Sequence, residues 1–232
     1  MILSVVIPCC DERQTLGEIV SRVLAADTLG LELDVIIVDD GSGDGSFEIA
    51  QALAAEHGRV RVFRHPDNRG KGAAVGTGIG EARGDIVLIQ DADLEYNPAD
   101  YAKLLKPIIE GRADVVYGSR FRSTESMRVL HFWHWVGNKA LTLLSNMLTG
   151  LNLTDIETGY KVFRKELLER IELRESRFGF EPEVTAKIAR LKPRFYEVGI
   201  GYDGRTYGEG KKITWKDGLW AIWCIVRYNV LG

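Results

Sequence analysis

Short β-branched apolar runs that alternate with helical periods constrain this chain more than any other feature. "ILSVVIP", "LDVIIV", "RVRVF", "GDIVLI" and "ADVVYG" read as five strands, and most are close to continuously apolar. Between the first two, "ERQTLGEIVSRVLAAD" sets Leu16, Ile19, Val20, Val23 and Leu24 at helical spacing, and "FEIAQALAAEHG" and "PADYAKLLKPIIEG" are further helices. A strand that is apolar on both sides must be buried on both sides, so the pattern predicts an α/β fold with a mostly parallel central sheet covered by helices. Sheets of this kind take their ligands beyond the carboxyl ends of the strands.

The helix expected within "GKGAAVGTGIGEARG" is poor in helix formers, each internal glycine costing about 1 kcal/mol relative to alanine. Its small residues would let it approach the sheet closely. After Arg120 the alternation gives way to "RVLHFWHWVGNKALTLLSNMLTGLNL", then "TGYKVFRKELL", "FEPEVTAKIARLK", "RFYEVGIGY" and a tryptophan-rich end. No polar, glycine- or proline-rich break separates these parts, and 232 residues fit one large domain, 1–232.

The bulk numbers exclude several classes. Thirty basic residues against 33 acids give a net charge of −3, so no global positive field points to nucleic acid as a partner. Cys9, Cys10 and Cys224 form neither a metal-ligand pair nor an even disulfide framework, which suits a reducing cytoplasm. The run Val5–Ile7 is too short and lacks the cationic flank of a signal peptide. No stretch approaches the roughly 18 apolar residues of a membrane span.

"LIQDADLEYNP" places Asp91, Asp93 and Glu95 on alternate positions at the end of the fourth strand, in the zone where ligands bind. An Asp-x-Asp alone is equally compatible with capping a turn, as Asp39 and Asp40 are with serving the glycine turn after the second strand. Acids delivered to one edge from two strands concentrate negative charge unless a cation binds there. A hard divalent ion, Mg2+ or Mn2+, accepts oxygen ligands and bridges nucleotide phosphates. Arg120, after "YGS" at the end of the fifth strand, points its guanidinium to the same edge and suits a bidentate phosphate contact. Lys71, at a helix start, is equally suited to phosphate or to packing.

"VVIPCCDE", "VDDGSGDG", "NRGKGAAV", "GDIVLIQDADLEYNP", "GSRF" and "GRTYGEGKK" occur in the order and spacing of glycosyltransferase family 2. The chain most resembles the polyprenyl-phosphate (dolichol-phosphate) sugar synthase branch, from Ser4 to about Arg227. The resemblance implies an A-type glycosyltransferase (GT-A) fold and a nucleotide-sugar donor. Its donor half would be 1–120, its acceptor side 121–210 and its C-terminal helix 211–232. Pro8, Cys10 and Glu12 match the segment that holds base and ribose, and Asp40 matches the acid that contacts the base. Cys10 stands where the branch often carries an aromatic. Asp91, Ala92 and Asp93 match the segment at ribose and diphosphate. Asp93 is the expected direct metal ligand, with Glu95 second and Asp91 ligating directly or through water. Arg205 and Lys211 match the Arg-x-x-Gly-Glu-x-Lys loop that closes over the diphosphate, so Asp93, Arg205 and Lys211 are the expected catalytic set.

A lipid monophosphate acceptor is largely anionic at pH 7 and needs no protein base. A hydroxyl acceptor does need one, and "TDIETGYK" offers Asp155 and Glu157. The resemblance implies inverting, single-displacement transfer of one sugar from GDP-mannose or a UDP-hexose to polyprenyl phosphate. The alternatives are elongation of a glycan or glycolipid hydroxyl, and an inactive nucleotide-sugar-binding subunit of a membrane complex.

In "KKITWKDGLWAIWCIVRYNVLG", Trp215, Leu219, Ile222, Trp223, Val226 and Val230 share a helical face flanked by Lys211, Lys212, Lys216 and Arg227. Such a face suits either the lipid headgroup boundary or packing on the core. Phe132, Trp133, Val136, Ala140, Leu143 and Met147 form a second apolar face suited to an acceptor groove. His131 and His134 beside them read as packed or interfacial side chains. Peripheral attachment at the cytoplasmic face of a membrane is expected, with a membrane-protein partner as a further option.

Overall fold

The computed structural model describes residues 1–122, 128–129, 132–205 and 215–231. Five strands stand where the apolar runs predict them: β1 (Ile2–Cys9), β2 (Glu32–Asp39), β3 (Val60–Arg64), β4 (Ile86–Ile89) and β5 (Val115–Ser119). Helices α1 (Leu16–Leu24), α2 (Ser46–Glu56), α3 (Lys71–Glu81) and α4 (Tyr101–Ile109) connect them. Further along the chain come α5 (Phe132–Thr149), β6 (Lys161–Arg164), α6 (Lys165–Leu168), α7 (Phe180–Arg190), β7 (Phe195–Gly199) and α8 (Trp215–Val226), which short helical turns at Pro98–Asp100 and Arg227–Leu231 supplement.

The seven strands form one sheet in the order β3-β2-β1-β4-β6-β5-β7. β1 runs parallel to β2 and β4, β2 to β3, and β5 to β7, whereas β6 is antiparallel to both β4 and β5. β4 and β5 are therefore not neighbours, and the strand between them is one that the alternation of apolar runs does not predict. Lys161 opens β6, fully buried, and a lysine in a short "KVFR" run hides the strand. Its ammonium donates to the carbonyls of Ile156 (3.0 Å) and Thr158, which satisfies the charge inside the protein.

Successive strand residues divide between two cores. Val5, Ile7, Val35 and Ile37 join Leu16, Ile19 and Leu104 on one face, and Val6, Ile36 and Val38 join Val75 and Val184 on the other. The period of two with both sides buried is what near-continuous apolar strands require. On the second face α3 lies so close to β1 that a Cβ at Gly78 would collide with Val6. Gly78, one of the glycines that weaken α3 as a helix, is what allows that approach.

Candidate active site

A cavity of about 330 Å3 opens at the carboxyl ends of β1, β2 and β4. Pro8 reaches it from the end of β1, Cys10 and Glu12 after β1, Asp40 after β2, Asp91, Ala92, Asp93 and Glu95 after β4, Arg120 after β5 and Arg205 from the segment after β7. These residues thus share one wall system, while Lys211 lies outside the described residues. Cys10 Sγ accepts from Asn68 Nδ2 at 3.0 Å.

The acidic loop is shaped by its backbone. Leu94 adopts a left-handed φ of 64°, at a cost of roughly 1–2 kcal/mol for a residue of this type, and Glu95 N donates to Asp93 Oδ1 at 3.1 Å. The turn folds Glu95 back beside Asp93. Tyr202 OH donates to Glu95 Oε2 at 2.8 Å, and the Tyr96 hydroxyl accepts from Gly159 N at 2.9 Å. Beneath them the buried Gln90 Oε1 accepts from the hydroxyls of Tyr101 (2.9 Å) and Tyr160 (2.8 Å).

Arg205 ties three carboxylates together. Its guanidinium nitrogens lie 3.1 and 3.2 Å from the two Glu12 oxygens and 3.0 Å from Asp93 Oδ2, with Nε 3.7 Å from Glu95 Oε1. Burial, then Asp91 and Glu95, push the Asp93 carboxyl up to about 7 against the pull of Arg205. Among the described residues no group of three or more His, Cys, Asp or Glu side chains is gathered closely enough to hold a metal ion. Asp91, Asp93 and Glu95 bring carboxylate oxygens to the same cavity, the hard donor type that a divalent cation takes, with the Arg205 guanidinium beside Asp93 and Glu95.

Lys71 begins α3 and faces Asp91 Oδ1 at 2.8 Å and Glu181 Oε1 at 3.1 Å. Burial opposes its charge, but these two carboxylates outweigh it and hold the ammonium well above its ordinary range. It belongs to the cavity wall.

Several of the predicted side chains have partners within the protein. The Asp40 carboxylate, facing the cavity as predicted, accepts from the backbone N–H groups of Arg69 (3.0 Å) and Gly70 (2.7 Å) and bonds His65 Nδ1 at 2.6 Å. It thereby anchors the turn that starts α3. Arg120, expected to offer its fork to phosphate, gives it to Asp155, and its guanidinium also lies 5.1 Å from the Tyr202 ring centroid. Burial opposes ionisation of Asp155, yet Arg120 holds that carboxyl below its ordinary range. Glu157 has the opposite environment. It lines the cavity, its Oε1 is buried with no donor, and burial followed by Glu181 pushes it up to about 7.

Other cavity residues escape sequence reasoning. Glu181, on α7, lines the cavity and carries no signal in the sequence. Gly159 is exact in its fit, since a Cβ there would run into Asp91 Oδ2 and come within 2.8 Å of the Tyr96 ring.

The profile of glycosyl transferase family 2 matches residues 4–172. The chain belongs to that family. The dolichol-phosphate mannosyltransferase of Pyrococcus furiosus is 32% identical over 91% of this chain, and the chain spans 59% of that protein's length. The polyprenol monophosphomannose synthase of Mycolicibacterium smegmatis is 34% identical over 89% of this chain and 79% of its own. Among solved structures, glucosyl-3-phosphoglycerate synthase from Mycobacterium tuberculosis, in complex with Mn2+, UDP and glucosyl-3-phosphoglycerate, superposes with a TM-score of 0.75 at 20% identity. It covers 100% of this chain and 81% of its own. The mostly parallel sheet with flanking helices is the GT-A fold.

This family 2 chain turns two apolar helical faces outward. On α5, Phe132, Trp133, Leu143 and Met147 are exposed, while Thr142 and Ser145 face inward. Next to it, α8 buries Ala221, Cys224 and Ile225 and exposes Leu219, Trp220, Ile222 and Trp223. Of the predicted outward face, Leu219, Ile222, Trp223 and Val230 are exposed and Val226 is half-buried, while Trp220, outside that face, is exposed as well; the Trp215 and Lys216 side chains, Lys212 and His131 lie outside the described residues. Asn138 of α5 donates to Asp155 Oδ1 at 3.2 Å, which links that helix to the cavity wall. Among the described residues no helix is long and apolar enough to cross a membrane.

Proposed function

We propose that this chain transfers one sugar from a nucleotide-sugar donor, GDP-mannose or a UDP-hexose, to polyprenyl or dolichyl phosphate, with inversion at the anomeric carbon. The observation that carries the reading is the convergence of Glu12, Asp91, Asp93 and Glu95 with Lys71 and Arg205 on one cavity at the strand ends. The names of the archaeal and mycobacterial relatives support a lipid-phosphate acceptor and a mannosyl donor. In this reading residues 1–120 hold the donor and 121–210 the acceptor side.

Asp93 and Glu95, with Asp91, would hold Mg2+ or Mn2+, which supplies charge stabilisation for the departing diphosphate when bound. Lys71 and Arg205 add positive charge at the same wall, and Lys211 is assigned with Arg205 to the closing loop. The anionic acceptor phosphate is itself the nucleophile, so the tight engagement of Asp155 by Arg120 costs the reaction nothing. The outward faces of α5 and α8 support peripheral attachment to the membrane that holds the lipid, on its cytoplasmic side, with or without a membrane-protein partner.

A second reading has one specific support. Glu157, raised to about 7 and facing the cavity, suits a general base, as a hydroxyl acceptor on a glycan or glycolipid would need. The deciding experiment incubates the protein with Mg2+ or Mn2+ and a panel of UDP- and GDP-sugars, with and without polyprenyl phosphate, and follows products by mass spectrometry. A sugar-phosphate-lipid that vanishes in Asp93→Ala carries the first reading. Transfer only to hydroxyl acceptors, lost in Glu157→Gln, carries the second, and donor binding without any turnover would leave a binding subunit.

A further inference from the structure

The segment 174–178, between α6 and α7, is fastened to three helices. On α7 the fully buried Glu183 accepts from the backbone N–H groups of Arg174 (2.8 Å to Oε1) and Glu175 (2.7 Å to Oε2). The Glu175 carboxylate, itself buried, reaches α8 and the helical turn behind it. It accepts from Trp220 Nε1 at 2.9 Å and from the Tyr228 hydroxyl at 2.7 Å, with Arg227 Nη1 3.6 Å away. Gly179 leaves room for that carboxylate, since a Cβ there would lie 2.6 Å from Glu175 Oε2. The third helix is α3. The carbonyl oxygens of Glu175 and Ser176 press on Gly72 and Gly70, where a Cβ would lie 2.2 and 2.3 Å from them, and Ser176 O accepts from Ala73 N at 3.0 Å.

This last contact reaches the cavity. The N–H groups of a first helical turn need acceptors from outside the helix, and Gly70 before α3 offers no side-chain cap, so the Ser176 carbonyl takes that place. Lys71, the first residue of α3, holds its ammonium against Asp91 and Glu181 on the cavity wall, and Arg177 and Phe178 of the segment line the same wall. We propose that Glu175 is a positioning residue for the donor: by holding the segment on the first turn of α3 it fixes Lys71 where the ammonium meets the diphosphate of a nucleotide sugar. A buried carboxylate has to keep its hydrogen-bond donors, so the segment cannot shift without breaking its bonds to Trp220 and Tyr228. A misplacement of about 1 Å at a binding group costs as much as about a hundredfold in rate, which makes a stiff tie worth having. The inference rests on the reading of the cavity as a donor site and adds to it a residue outside the cavity wall.

The test has two readouts. Hydrogen exchange on the ligand-free chain, followed by mass spectrometry, reads the clamp itself. Glu175→Ala speeds exchange across residues 70–76 about tenfold and leaves α1 as it was, and unchanged exchange at 70–76 overturns the inference whatever the ligand. Calorimetry with GDP-mannose and UDP-glucose reads the consequence. Glu175→Ala weakens donor binding about tenfold, and in a Lys71→Met background the same substitution changes affinity by less than about twofold. Equal losses in both backgrounds overturn the inference, because Glu175 would then act without Lys71. Should Glu175→Ala unfold the chain, Trp220→Phe deletes one donor to the carboxylate from an exposed side chain and gives the same pattern at smaller amplitude. If neither nucleotide sugar binds the unaltered chain, the donor reading fails and takes the role of Lys71 with it, while exchange at 70–76 still judges the clamp.

Discussion

Arg120 and Asp155 meet in a two-point ion pair, with Nε to Oδ2 and Nη2 to Oδ1 both at 2.7 Å, and Asp155 has no exposure to water. A guanidinium and a carboxylate locked together in this way form a structural strut at the cavity wall.

Removing one member leaves the other buried and uncompensated, which costs about 3–5 kcal/mol. Asp155→Asn is therefore expected to lower the melting temperature by about 10 °C for a chain of this size. Because Arg120 depresses the Asp155 carboxyl in the fold, its stabilisation is present above the unfolded carboxylate range and is lost as pH falls toward the folded value. Thermal scans between neutral and acid pH measure both effects, and an unchanged melting temperature in the variant would count against the strut.

Glu157 has the reverse linkage. Its folded pKa of about 7 lies above the unfolded value near 4.3, so the stability it contributes is full below that value and is lost as pH rises through about 7. Glu157→Gln should reduce the difference in stability between pH 5 and pH 8 by about 1–3 kcal/mol. Urea unfolding at the two pH values reads this directly, and a difference as large as in the unaltered chain would contradict it.

Gly159→Ala drives a methyl group into Asp91 and against Tyr96, both of which line the cavity. The fold should survive, since the clash lies at the cavity wall. Donor affinity measured by calorimetry should fall at least about tenfold, equivalent to 1.4 kcal/mol. Affinity within twofold of the unaltered chain would show that Asp91 can move without consequence.

Arg205 is the shared counter-charge of Glu12, Asp93 and Glu95. In Arg205→Ala those acids lose their cation, so Mn2+ should bind more tightly, by about tenfold, while transfer activity drops. Titration of Mn2+ followed by calorimetry, alongside the product assay, checks the two opposite changes. Weaker metal binding in the variant would mean that the guanidinium supports the ion instead of competing with it.

The parallel half of the sheet is legible because its strands are apolar on both faces and the helices between them keep their period. The acidic loop is equally legible from its position after β4. β6 is hidden because a buried lysine, satisfied by two carbonyls, looks like a surface residue in sequence. The roles of Asp40 and Arg120 are hidden for a related reason. Charge and position place a side chain at the cavity, but partners from distant segments, Arg69 and Gly70 in one case and Asp155 in the other, decide what it holds. Glu181 reaches the wall only through the packing of α7, which no local pattern announces.

The reversed direction of β6 has an architectural consequence. Parallel strands deliver to the cavity the residues that follow them, and β6 delivers those that precede it, Glu157 and Gly159. One rim is thus written by two reading directions, with the 150s loop inserted as a cassette between carboxyl-end loops that carry Asp40, Asp91, Asp93 and Glu95. Exchanging that cassette between family members would change the side chains on that part of the rim while the loops that follow the parallel strands stay in place.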